Sequence, residues 1–147
     1  MTNQYKREVL IIEDNPYDAE LAKRVLVKAS PAIHIQLLMD GDDVWNFFFK
    51  GTDEDVYLRS KEISLVLLDL KMPKIGGLEI LKKLKENPMT ASIPVVILSS
   101  SREPSDIQEA YRLGTNGYVV KPVDFEEYRK TLERINLFWI DINETML

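Results

Sequence analysis

The stretch Val9-Leu10-Ile11-Ile12-Glu13-Asp14-Asn15-Pro16 sets four consecutive apolar residues against an abrupt acidic stop. A run this short, rich in branched aliphatic residues and without alternation, reads as a strand buried on both faces. Similar runs follow at residues 33–39, 64–68, 93–98 and 117–120. Between them the spacing turns helical. Ala19, Ala22, Val25, Leu26 and Ala29 form one apolar stripe, and Leu78, Ile80, Leu81 and Leu84 form another with lysines opposite. Ile107, Ala110, Tyr111 and Leu113 make a third, opened by Pro104-Ser105-Asp106. A further helix is predicted after Pro122, with Asp124 as N-cap and Phe125, Tyr128, Leu132 and Ile135 as its buried face. Strands alternating with helices specify an α/β fold, because parallel neighbours need crossover helices that cover both faces of the sheet. Residues 50–62 are polar, break this spacing, and read as a surface insertion.

Composition narrows the chemistry. The chain has 147 residues, no cysteine, one histidine and a formal net charge of -5. No thiol chemistry, iron–sulfur cluster, cysteine-ligated zinc or multi-histidine metal site is available to it. The acidic balance argues against a nucleic-acid surface. The apolar runs fall far below the ~20 residues of a membrane span. Residues 1–8 are polar and lack the apolar stretch of a signal peptide. The expectation is a cytoplasmic single domain, 1–147, with no nucleic acid and no membrane among its partners.

In an open parallel sheet the ligand site lies beyond the carboxyl ends of the strands. The first apolar run ends in Glu13-Asp14, the third in Asp69, the fourth in Ser99 and the fifth in Lys121-Pro122. Three carboxylates, one hydroxyl and one amine thus converge on one edge. Like charges so close repel unless a cation offsets them, and hard oxygen donors select Mg²⁺ or Mn²⁺. An amine and a hydroxyl are the usual partners of phosphoryl oxygens.

Glu13-Asp14, Asp69 followed by Met72-Pro73 and Gly76-Gly77, Ser99, and Tyr118-Val119-Val120-Lys121-Pro122 resemble the receiver domain of two-component response regulators. The resemblance covers roughly residues 8–136, and the intervals of 30 residues from Asp69 to Ser99 and 22 from Ser99 to Lys121 match the family. A Ser stands where Thr is commoner. The insertion and the Phe138-Trp139 tail are most similar to the small response regulators of bacterial and cyanobacterial phytochromes.

The resemblance implies a flavodoxin-like doubly wound sandwich with sheet order 2-1-3-4-5, a core at about 8–136, and a helical extension at 137–147 without an output domain. It makes Asp69 the phosphoacceptor for a sensor histidine kinase of phytochrome type. Asp14, Asp69 and the backbone carbonyl of Lys71 would hold Mg²⁺, with Glu13 acting through water. Lys121 would pair with a phosphoryl oxygen across a cis Lys121-Pro122 peptide. Ser99 and Tyr118 would carry the switch to the face of the fourth helix, fifth strand and fifth helix. The protein would act on itself alone, catalysing only its own phosphorylation and dephosphorylation. Lys71 and Ser101, at the positions that set hydrolysis rate in the family, imply a slow decay. The aromatic set Tyr111, Tyr118, Tyr128, Phe138 and Trp139 points to a homodimer, with Phe138 and Trp139 beyond the domain body.

Competing readings fit less well. A dehalogenase-type phosphatase needs a second aspartate where Lys71 stands. A flavin site needs a phosphate-cradling loop where Glu13-Asp14 would repel phosphate, and no Gly-Lys-Ser/Thr loop is present. The remaining alternative is a receiver-like interaction module that is never phosphorylated.

Overall fold

The computed structural model describes residues 7–72 and 75–145. Strands β1 (Glu8–Ile12), β2 (His34–Leu38), β3 (Ile63–Leu68), β4 (Val95–Ser99) and β5 (Gly117–Val120) form one parallel sheet in the order β2-β1-β3-β4-β5. Around it lie α1 (Pro16–Ala29), α2 (Gly41–Phe48), α3 (Asp53–Ser60), α4 (Gly77–Glu86), α5 (Pro104–Arg112) and α6 (Phe125–Ile135). A π-helical segment, Asn136–Ile142, continues α6. This is the expected doubly wound flavodoxin-like order.

Successive strand residues point to opposite faces, so each central strand feeds two cores. Leu10, Ile12, Val66, Leu68, Val95 and Ile97 meet Phe48, Leu81, Leu84 and Ala110 on one side. Val9, Ile11, Leu65, Leu67, Val96 and Leu98 meet Leu26, Tyr128, Leu132 and Ile140 on the other. That double burial is why the runs show no alternation. All six residues of β3 are buried, as the centre of the sheet requires.

The segment read as a polar insertion is in fact a helix. Gly51 turns the chain with φ +99, and Thr52 and Asp55 close a reciprocal capping box that starts α3. Two further expectations change. Phe125, assigned to a buried face, is exposed at the first position of α6, and Tyr111 is exposed beside buried Ala110. The tail folds back on the domain more than expected. Ile140 is buried and Trp139 packs against the second core, reaching the space above Gly117, while Phe138 stays 49% exposed. Trp139 therefore does not project beyond the domain body. Pro73, part of the family-like motif, lies outside the described residues, as do residues 1–6 and 146–147. Among the described residues no helix is long and apolar enough to cross a membrane.

Candidate functional site

The sheet ladder itself sets the position of the strand-end residues. The amide of Glu13 donates to Leu38 O at 3.1 Å, that of Asp69 to Ile12 O at 3.0 Å, and that of Lys121 to Ser99 O at 2.7 Å. Pairing thus runs one residue past β1, β3 and β5 and fixes three functional backbones relative to one another. Asn15 then stops the chain from continuing as strand. Its side chain caps α1 by accepting from the amides of Tyr17 and Asp18, with Pro16 pre-set for the first turn.

Glu13, Asp14 and Asp69 each offer one carboxylate oxygen to a group whose members lie within 4.8 Å of one another. Glu13 and Asp69 are 6% and 8% exposed, so water screens their repulsion poorly. Burial, and then the charge of Asp69, push the Glu13 carboxyl up from 4.5 to about 7. Burial likewise raises Asp69, and Lys121 partly offsets this. Three buried-to-half-buried hard donors short of positive charge fit a divalent cation. The Lys71 amide donates to Asp69 Oδ1 at 3.4 Å, placing that loop residue beside the Asp69 carboxylate.

The shift of Glu13 gives a stability profile. Below about 4.5 Glu13 carries its proton in folded and unfolded chains alike. Between about 4.5 and about 7 only the folded chain keeps that proton, so stability falls as pH rises through this window. Asp69 acts in the same sense, whereas the exposed Asp55, Glu109 and Glu126 are shifted down and titrate at lower pH. Thermal melts in chelator are expected to show a lower melting temperature above the window than inside it. Glu13→Gln is expected to flatten the slope; an unchanged slope would remove Glu13 as its source.

Lys121 Nζ donates to Glu13 Oε2 at 3.0 Å and to Asp18 Oδ2 at 3.1 Å. Burial opposes its charge, but the surrounding carboxylates outweigh that and hold the amine above its ordinary range. Ser99 is fully buried at the end of β4, its Oγ accepting from the Ser101 amide at 3.2 Å. Tyr118 donates its hydroxyl to Ser101 O at 2.9 Å, and Ser101 Oγ donates to Asp106 Oδ2 at 2.5 Å. The loop after β4 therefore links Ser99 to Tyr118 on β5.

The structure brings Glu13, Asp14, Asp69, Ser99 and Lys121 to one sheet edge. Two assignments are corrected. The Lys121-Pro122 peptide is trans, since no cis bond occurs among the described residues; trans is the form an X-Pro bond favours by about 0.5–1 kcal/mol. Tyr128 is no surface residue for a dimer: it is buried and lines a small cavity beneath the site with Glu13, Asp18 and Asp69. Asp18 is the residue the sequence reading missed. Its signal was its place one turn after Asp14, in the first turn of α1.

Residues 9–133 match the family described as the response regulator receiver domain. The probable methanogenesis regulatory protein FilR2 of Methanothrix harundinacea is 32% identical over 143 residues, 93% of this chain and 86% of that protein. Response regulator Rcp1 of Synechocystis sp. is 32% identical over 133 residues, 90% of this chain and 88% of that protein. Its Mn²⁺-bound crystal structure superposes with a TM-score of 0.86 at 30% identity, covering 96% of this chain and 99% of that one. The phosphorylated cyanobacterial phytochrome response regulator RcpA superposes with a TM-score of 0.87 at 27% identity, covering 97% and 99%. Matched along nearly its whole length and folded in the same sheet order, the chain belongs to the response regulator receiver domain family of two-component systems.

Proposed function

We propose that this receiver takes a phosphoryl group on Asp69 from the phosphohistidine of a sensor histidine kinase in the cytoplasm. The carrying observation is that Asp69, nearly buried, meets Glu13 and Asp14 within 4.8 Å while a lysine stands at the same edge. A carboxylate oxygen of Asp69 attacks phosphorus, the phosphorus–nitrogen bond breaks, and an acyl phosphate forms. Glu13, Asp14 and Asp69 are the side chains that would hold Mg²⁺ or Mn²⁺, with the Lys71 carbonyl on the adjoining loop. When bound, such an ion would supply positive charge against the phosphoryl oxygens. Lys121 neutralises a phosphoryl oxygen, and Ser99 donates its hydroxyl to another. Movement of Ser99 is passed by the Ser101 carbonyl to Tyr118, and so to the surface of α5, β5 and α6. The likeness to the cyanobacterial phytochrome response regulator RcpA supports a phytochrome-type kinase as the donor. Catalysis extends only to its own phosphorylation and dephosphorylation.

Incubation with acetyl phosphate and Mg²⁺, followed by intact mass, is expected to show one added phosphoryl group that EDTA prevents. Labelling unaffected by EDTA would contradict the metal role, and no labelling would favour an unphosphorylated interaction module. Decay is expected to take minutes to hours. Ser101 spends its hydroxyl on Asp106 and accepts from the Glu103 amide, so it is poorly placed to orient an attacking water. A half-life of seconds would contradict this.

Self-association draws support from Leu137, Phe138 and Ile142, each about half exposed on the π-helical segment. Sedimentation is expected to show a dimer that Phe138→Ala weakens. A monomer at tens of micromolar, phosphorylated or not, would contradict the dimer.

A further inference from the structure

Asp18 has no part in the reaction just described, yet it holds one of its central groups. An ammonium has three N–H donors and no acceptor. Lys121 commits one to Glu13 and one to Asp18, and the influence of Asp69 on it is coulombic. Asp18 lies outside the acidic group formed by Glu13, Asp14 and Asp69. Its place is built rather than incidental: Asn15 caps α1 through the Asp18 amide, which fixes the backbone that presents the carboxylate to Lys121. Asp18 is also the outer partner, with its side chain 34% exposed against 7% for Glu13. Of the two contacts it is the one water can most readily replace.

We propose that Asp18 is a positioning residue, a latch that holds Lys121 away from Asp69 until phosphoryl transfer draws the amine across. The proposal rests on the reading of Asp69 as phosphoacceptor and of Lys121 as its counter-charge. An arriving phosphoryl group carries close to two negative charges and so competes for Lys121 against one partly hydrated carboxylate. A cavity of about 10 Å³, lined by Glu13, Asp18, Asp69 and Tyr128, lies beneath these carboxylates. When Lys121 crosses, Asp18 is released, and the first turn of α1 feels the state of Asp69.

The test uses the full chain with Asp18→Asn, Asp18→Glu and, as a charge control on the same helix, Glu20→Gln. Phosphorylation by acetyl phosphate is followed by intact mass, and the Lys121 ammonium is followed by NMR without metal. Asp18→Asn is expected to label about three- to fivefold faster than wild type, the size of one partly exposed ion pair. It is also expected to shift the Lys121 ammonium resonance and speed its exchange with water. Asp18→Glu is expected to restore both, and Glu20→Gln to leave both unchanged. An Asp18→Asn rate equal to or below wild type would overturn the latch, as would equal acceleration by Glu20→Gln. If wild type takes no label at all, the phosphoacceptor reading has failed instead. The ammonium exchange then still decides, since an unchanged resonance in Asp18→Asn would show that Asp18 holds nothing.

Discussion

Gly77→Ala is expected to destabilise the domain by about 2 kcal/mol or more, lowering its melting temperature by roughly 5 °C or more. Gly77 opens α4 directly behind the site, with its amide donating to Leu70 O at 2.9 Å. A Cβ there would lie 2.3 Å from the Asp69 carbonyl oxygen and 2.6 Å from Leu70 Cα. Both neighbours are backbone, and one of them belongs to Asp69, the proposed phosphoacceptor, so no side chain can swing aside. The clash is relieved only by moving the loop after β3 or by tilting α4. Either displaces Asp69 from Glu13 and Asp14, so phosphorylation is expected to slow as stability falls. Gly76→Ala is the contrast. Among the described residues the nearest atom to a new Cβ at Gly76 is Leu70 O at 4.0 Å, so the expected loss is the N-cap preference for Gly over Ala, about 1 kcal/mol or less. A Gly77→Ala melt within about 1 kcal/mol of wild type would show that the loop yields and that this close approach is not needed.

The strands were legible because β1, β3 and β4 are buried on both sides, which makes a continuous apolar run the expected pattern. The site residues were legible for a related reason. Each polar residue that ends such a run must stand at the sheet edge, as Glu13, Asp69 and Lys121 do through the amides that extend the ladder. α3 was not legible. Only Val56 and Ser60 are buried along it, so it has no apolar stripe, and its start is set by the Thr52–Asp55 capping box. Phe125 misled because apolar character alone does not bury a residue at a helix's first turn. Asp18 and Tyr128 reach the site from α1 and α6, whose approach to the sheet edge is fixed by packing of the second core. Spacing puts Asp18 one turn after Asp14, but the approach of α1 and α6 to the edge comes from that packing and from no local pattern.

Asp69→Asn tests the central claim most directly. The amide keeps the size of the side chain and can still accept from the Lys71 amide, but it cannot serve as the nucleophile that forms an acyl phosphate. It also removes one of the three charges that press on one another at the sheet edge, so the variant is expected to fold at least as stably as wild type. Wild type and Asp69→Asn are incubated side by side with acetyl phosphate and Mg²⁺, and their intact masses are read. Wild type is expected to gain one phosphoryl group and Asp69→Asn none; a variant that still gains the group would place the phosphoacceptor elsewhere and contradict the account.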